Sequence, residues 1–282
     1  MAQRRLDTLI AERGLAPSRT AAATSIRAGE VRIGKGGERP TKPGHMVPEE
    51  IRIYMEGGRR YVSRGGLKLE AALDRFGVDP SGRRCLDVGA STGGFTDCLL
   101  QRGATEVIAL DVGHGQLDWG LRNDERVVAI EGFNARELAA ADLPFAPELV
   151  TIDVSFISVR KLLEALAVVI ARGAPILAMV KPQFELGRER VGRGGVVRDP
   201  AQRAEAVVEV SDFAAKLGLR TGGVAAAGVP GPKGNVEIFL LLGSEVQPLA
   251  NVAGLALAEA EGPAKGAGAV DIDADGTEEG EA

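Results

Sequence analysis

Aromatic residues are scarce in this chain of 282: eight Phe, two Tyr and one Trp, or 4% of the whole. A core built from it has to be aliphatic. Cysteine is scarcer still, and Cys85 and Cys98 are too few for a disulfide framework or a zinc site. Cys85 lies in an apolar run and Cys98 in an amphipathic pattern, so both read as reduced core thiols of a cytosolic protein. Long apolar runs are missing. The longest, Leu162 to Ala171, includes Glu164 and falls far short of the roughly 20 residues of a membrane span. The opening MAQRRLDTLIAERG lacks the apolar stretch of a signal peptide. A soluble cytoplasmic protein without a membrane partner is expected.

Apolar residues make up 45% and charged residues 26%, values at which a chain folds around a core. Glycine, at 38 residues, is about twice as frequent as usual. The net charge of −5 hides an asymmetry: residues 1–65 carry a balance of +6, and residues 244–282 a balance of −8. A basic head beside a near-neutral body is a nucleic-acid footprint.

The spacing of Leu6, Leu9 and Ile10 predicts a short helix stopped at Gly14, and Ser18 caps a second helix closed by Gly29. Strands are expected at 31–33 and 51–54. Arginines on both helices form either a solvated basic face or an RNA contact. The run R-L-D-x-L-I-x-x-R-G-L-A-x-S-R, then I-R-A-G-E-V and K-P-G, resembles the RNA-binding domain of the ribosomal protein S-four type, over residues 3–55. That resemblance implies phosphate contacts, which give affinity but little sequence information, at Arg5, Arg19, Arg27 and Lys42. Residues 56–66, EGGRRYVSRGG, have the composition of a flexible hinge, with Tyr61 and Arg64 placed either to touch RNA or to serve as plain linker.

From residue 67 strands and helices alternate. Strands are expected at 84–90, 106–110, 127–130, 149–153, 176–180, 222–226 and 236–242, and helices at 158–171 and 199–217, the latter opened by Asp199 and Pro200. This is an α/β pattern with a largely parallel sheet, and such sheets bind ligands at the carboxyl ends of their strands. The turn after the first strand, D-V-G-A-S-T-G-G-F-T, lets the backbone of Gly89, Ala90, Ser91, Thr92 and Gly93 approach a ligand. Asp111 ends the next strand, where a carboxylate bonds a ribose diol of NAD or of S-adenosylmethionine. The turn lacks the G-x-G-x-x-G spacing of a dinucleotide site. Asp87 before it suits the cationic amino-acid end of S-adenosylmethionine better than a pyrophosphate.

Lys68, Asp153, Lys181 and Glu237 are expected to project into one cleft. The last sits in the otherwise apolar VEIFLLL, where an acid must be paired or functional. They resemble the Lys–Asp–Lys–Glu tetrad of FtsJ-like ribose 2′-O-methyltransferases. SRGGLKLE, DVSFIS, VKPQFE and GNVEIFL resemble one branch, the TlyA (haemolysin A) family of ribosomal RNA methyltransferases. The resemblance implies a Rossmann-like class I methyltransferase sheet at 67–243, behind a small N-terminal α+β RNA-binding domain, with S-adenosylmethionine as methyl donor and cytidines of ribosomal RNA as targets. A general base at Lys181 follows, its neutral form favoured by Lys68 and by desolvation, with Asp153 and Glu237 aligning the groups. No metal is required, because the sulfonium leaves as a neutral thioether. Asn134 is expected near the cofactor, and Arg188, Arg190, Arg193 and Arg198 on RNA phosphates. Phe156 is either a base-stacking surface or a core residue. A monomer is expected, with a disordered acidic tail at 244–282. The alternatives are a catalytically silent RNA-binding protein and a membrane-active haemolysin; the intact tetrad disfavours the first, and the absence of a long apolar span the second.

Overall fold

In the computed structural model, the described residues are 3–16, 18–55, 60–192, 194–231 and 234–261. The head begins with a strand, β1 (Gln3–Arg5), that turns directly into α1 (Leu6–Glu12), followed by α2 (Arg19–Arg27). Ser18 Oγ accepts the Ala21 N–H at 3.1 Å, the expected cap. β2 (Val31–Ile33), β3 (Met46–Pro48) and β4 (Ile53–Met55) complete the unit, with β1 antiparallel to β3 and β2 antiparallel to β4. The apolar spacing does what it predicts: Leu6, Leu9 and Ile10 pack with Ala22, Ile26, Val31, Ile33 and Val47 in a small core of their own. β1 and β3, three residues each, are too short to leave a periodic signal, and the last strand lies two residues later than its apolar run predicts.

The body is a seven-stranded sheet. Its strands are β5 (Arg84–Val88), β6 (Glu106–Asp111), β7 (Val127–Glu131), β8 (Leu149–Ile152), β9 (Ile176–Val180), β10 (Arg220–Ala226) and β11 (Ile238–Gly243), in the order β10-β11-β9-β8-β5-β6-β7. Only β11 runs against its neighbours. Parallel strands covered on both faces have continuous apolar sequences, as in LVTI and ILAMV, where every residue is buried. α3 (Gly65–Phe76) and α4 (Gly94–Gln101) pack together, and a short α5 (Trp119–Arg122) leads towards β7. α6 (Arg160–Val169) and α8 (Pro200–Lys216) bury their apolar residues in a separate core cluster. Asp199 caps α8, accepting the Ala201 N–H at 2.9 Å, with Pro200 in the first turn. From β5 the chain winds outward through β6 and β7, then returns to place β8 and β9 on the other side. The crevice belongs where the winding reverses, at the carboxyl ends of β5 and β8.

Two expectations are corrected. The tail is not wholly disordered from residue 244, because α9 (Val252–Ala260) packs on α8 and β10 with Ala256 and Ala260 fully buried. Arg203 Nη1 donates to the Ala260 carbonyl at 2.8 Å, and Glu259 Oε2 accepts the Ala226 N–H at 2.9 Å. Composition averaged an alanine-faced helix together with the acidic stretch after it; residues 262–282 lie outside the described residues. Nor is the second half of the hinge loose. Tyr61 is buried against Gly66, where a Cβ would stand 2.2 Å from its ring, and Asp97 accepts the Val62 N–H at 2.8 Å. Arg60 pairs with Glu70 and lies over the Tyr61 ring. Tyr61 is thus an anchor and offers no face to RNA; residues 56–59 lie outside the described residues. No helix among the described residues is long and apolar enough to cross a membrane.

Candidate active site

The turn after β5 and the loop after β8 meet at Gly89. Its φ is +86°, and a Cβ there would stand 2.5 Å from the Asp153 carbonyl oxygen, so only glycine fits. The turn is pinned to the end of β6: Gly89 and Ala90 N–H both donate to the Leu110 carbonyl, and Ser91 N–H donates to Asp111 Oδ2 at 2.8 Å. Asp111 Oδ1 accepts the Gly113 N–H at 2.7 Å.

Two clefts open on this junction. The first, about 530 Å³, lies between Gly89, Asp111, Val112, Phe133, Asn134 and the Asp153–Ile157 loop. Its walls are mostly apolar, with the Asp111 carboxylate at the edge. The second, about 440 Å³, is charged: Lys68, Asp153, Lys181 and Glu237 line it, with Arg64, Ala90, Thr92 and Ser155. Gly89, Ser91, Asp153 and Ser155 wall both clefts, so the two adjoin. An apolar slot with a carboxylate for a diol, floored by a glycine-only turn, suits a nucleoside. The residues present therefore fit S-adenosylmethionine.

All four tetrad residues converge on the second cleft. The sheet register explains how: Ile238 of β11 pairs with Val180 of β9, so Glu237 and Lys181 flank the same rim. Glu237 sits just before its strand, in contrast to the expectation of a strand interior, and is 2% exposed. Lys68 Nζ bonds Glu237 Oε2 at 2.5 Å, and Lys181 Nζ lies 2.6 Å from Asp153 Oδ1. The second contact is an ion pair without hydrogen-bond alignment, since Oδ1 has no hydrogen-bond partner; the aligned bond from Lys181 goes to Ser155 Oγ at 3.1 Å. Each ammonium faces its own carboxylate, whereas the sequence suggested that Lys68 crowds Lys181.

Two expected cofactor residues line neither cleft. Asp87 is fully buried beneath the turn, where its carboxylate accepts the hydroxyls of Thr96 at 2.8 Å and Thr151 at 3.1 Å. Burial outweighs both bonds and pushes its carboxyl up to about 7. Gly93 (φ +94°) closes the turn instead, for a Cβ there would overlap Leu121 at 2.3 Å. Asn134 does line the first cleft, though its side chain also caps the following turn by accepting the Arg136 N–H at 3.3 Å. Sequence reasoning missed Ser155, marked only by its place two residues after Asp153, and Gln116, which accepts a bond from Ser91 Oγ at 3.3 Å at the first cleft.

Phe156 is no core residue. It is 91% exposed, holds a left-handed φ of +66°, and leans on Phe184 with ring centroids 5.2 Å apart. The basic residues divide. Arg27, Lys42 and Arg64 are exposed. Arg5 and Arg19 both reach the buried Asp7, at 2.7 and 3.2 Å, and the Arg5 bond holds that carboxyl down at about 2. They brace the head as well as facing outward. Arg190 is bound to Glu205 at 2.7 Å and Glu209 at 3.4 Å, which ties it to α8. Arg198 is exposed; Arg188 lies in a short 3-10 turn, and Arg193 is outside the described residues. Among the described residues no group of three or more His, Cys, Asp or Glu converges as a metal site.

Residues 61–244 match the FtsJ-like methyltransferase family and residues 4–50 the S4 domain. A 16S/23S rRNA (cytidine-2′-O)-methyltransferase TlyA of Mycobacterium tuberculosis is 48% identical over 90% of this chain and 96% of its own length. Hemolysin A of Brachyspira hyodysenteriae is 38% identical over 83% and 97%. The solved structure of a candidate hemolysin from Streptococcus thermophilus superposes with a TM-score of 0.70 at 38% identity, covering 93% of this chain and 96% of that one. With a family model spanning residues 61–244 and a relative 48% identical over nearly the whole of both chains, the chain belongs to the TlyA family of FtsJ-like methyltransferases.

Proposed function

We propose that this chain methylates the 2′ hydroxyl of a ribose in ribosomal RNA, in the cytoplasm, with S-adenosylmethionine as donor and a cytidine as target nucleotide. The observation that carries the reading is the charged cleft. Four ionisable side chains, three of them almost fully buried, form two ion pairs in a cleft that shares Gly89, Ser91, Asp153 and Ser155 with a nucleoside-sized slot. Buried charges at such a density are costly unless paired, and they are of use where charge moves. The names of relatives support the ribosomal and cytidine parts.

Gly89, Ser91, Asp111 and Asn134 would hold the donor's nucleoside. When bound, S-adenosylmethionine supplies an electrophilic methyl and departs as a neutral thioether. The chain's task is to present a ribose oxygen in line and remove its proton. Lys181, held by Asp153 and Ser155, is the group that takes that proton and returns it to solvent. Lys68 and Glu237 bond each other in the same cleft, where they orient the hydroxyl. Phe156, exposed at the mouth of the first cleft, is the surface on which the extruded base stacks. Arg27, Lys42, Arg64 and Arg198 supply phosphate contacts, to which the sequence adds Arg188 and Arg193. Arg5, Arg19 and Arg190 contribute from within their ion pairs.

The test is transfer of labelled methyl to purified small and large ribosomal subunits from a strain lacking the chain, with mass mapping of the product. The reading expects label on a cytidine 2′ oxygen. Label on a base, or none on either subunit, contradicts it.

A further inference from the structure

Glu185 is a buried carboxylate near the site that the mechanism leaves unused, at 6% exposure. It ends a four-residue helix, α7 (Pro182–Glu185), that starts directly after Lys181 and is tied to it by the Phe184 N–H, which donates to the Lys181 carbonyl at 2.8 Å. Its carboxylate reaches across to the other rim. Oε2 accepts the Ser158 hydroxyl, Oε1 accepts the Val159 N–H at 2.7 Å, and Arg160 Nε stands 3.3 Å from Oε2. The link is returned by Arg160 Nη2, which donates to the Glu185 carbonyl at 3.0 Å. These three consecutive partners lie two to four residues after Phe156, where the loop that carries Asp153 and Ser155 runs into the start of α6.

We propose that Glu185 is a positioning residue for methyl transfer: it braces the Phe156 loop against the helix that follows Lys181, and so sets where a stacked nucleoside stands relative to the base. This rests on reading Phe156 as the stacking surface. A bulky residue at positive φ with its ring in solvent persists only where its surroundings over-determine the backbone. Beyond the ring of Phe184, the neighbour Glu185 supplies that constraint, with bonds to each of the residues 158–160. Phe184 and Glu185 are adjacent, so one short helix both supports the Phe156 ring and clamps its loop. The register is carried to Lys181 through the same helix.

A double-mutant cycle tests this on the full chain with unmethylated ribosomal subunits, measuring single-turnover methyl transfer and, by calorimetry, S-adenosylmethionine affinity. Phe156→Ala is expected to slow transfer tenfold or more, within the range for one base–aromatic stack. Glu185→Gln keeps the size but turns a donor toward Arg160, and is expected to slow transfer about tenfold with cofactor affinity within threefold of the parent. In the Phe156→Ala background the same change is expected to cost less than threefold, because the platform it positions is gone. Should Glu185→Gln unfold the chain, Ser158→Ala removes one leg of the brace more gently and is expected to show the same loss of effect without Phe156. Equal factors in both backgrounds overturn the brace and leave the platform standing. An unchanged rate in Phe156→Ala overturns the platform, and the brace with it, while leaving Lys181 as base untouched.

Discussion

Asp87→Asn is a substitution that sequence and structure judge differently. From the motif, Asp87 meets the cationic end of the cofactor, and its loss would cripple binding. In the structure the carboxylate is sealed under the turn, and burial moves its proton affinity from an ordinary 3.8 to about 7. Below pH 3.8 both folded and unfolded chains hold the proton, so burial costs nothing. Between that point and pH 7 the unfolded chain releases it while the folded chain keeps it, and stability falls as pH rises. At 1.36 kcal/mol per pH unit the full interval amounts to at most about 4 kcal/mol. Asparagine removes the titration yet keeps the volume; its oxygen accepts from one threonine, and its amide donates to the other. Urea unfolding of both proteins from pH 5 to pH 8 should show the variant gaining on the parent by about 2–3 kcal/mol, nearly all of it before pH 7. Calorimetry should find S-adenosylmethionine affinity within threefold. Parallel stability curves, or a loss of affinity beyond tenfold, would refute the reasoning and return the carboxylate to the cleft.

Two further expectations concern the first cleft and the head. Asp111→Ala should weaken S-adenosylmethionine binding by tenfold or more in calorimetry while leaving RNA affinity within threefold, because Asp111 also holds the Ser91 and Gly113 amides that shape the turn. Arg27→Glu with Lys42→Glu should lower the slope of log affinity against log salt for ribosomal RNA by about one per lost phosphate contact, with the melting point unchanged. Arg5→Glu and Arg19→Glu would be a poorer test, since either reversal sets like charges around Asp7 and loosens the head itself.

Asp153 and Lys181 are legible because an ionisable residue at an apolar strand end stands out against its surroundings, and the alternation of strands and helices puts those ends on one rim. Glu237 shows the limit: its chemistry was visible, but its place before β11 depends on how β10 and β11 pair. Asp87 misled because motif position says nothing about depth; two threonines from α4 and β8, remote in sequence, decide which way it faces. Arg5 and Arg19 look like free cations until Asp7 is seen between them. Phe156 was undecided between core and surface, since one aromatic in D-V-S-F-I-S fits either, and the answer lies in a backbone angle that sequence does not print. The helix at 252–260 was lost because alanine reads as low complexity when its packing partner is unknown.

Lys181→Ala tests the central claim most directly. The amine lies 2.6 Å from Asp153 and 3.1 Å from Ser155, and its removal leaves the first cleft and the head in place. Methyl transfer to ribosomal subunits should fall about 10²–10⁴-fold, the usual worth of a positioned general base. Affinities for RNA and S-adenosylmethionine should change by less than tenfold. Lys181→Arg, measured alongside, should be nearly as inactive, because a guanidinium keeps its charge and cannot accept the hydroxyl proton. Near-native turnover in Lys181→Arg would contradict the account, showing that the charge at this position matters and its proton does not.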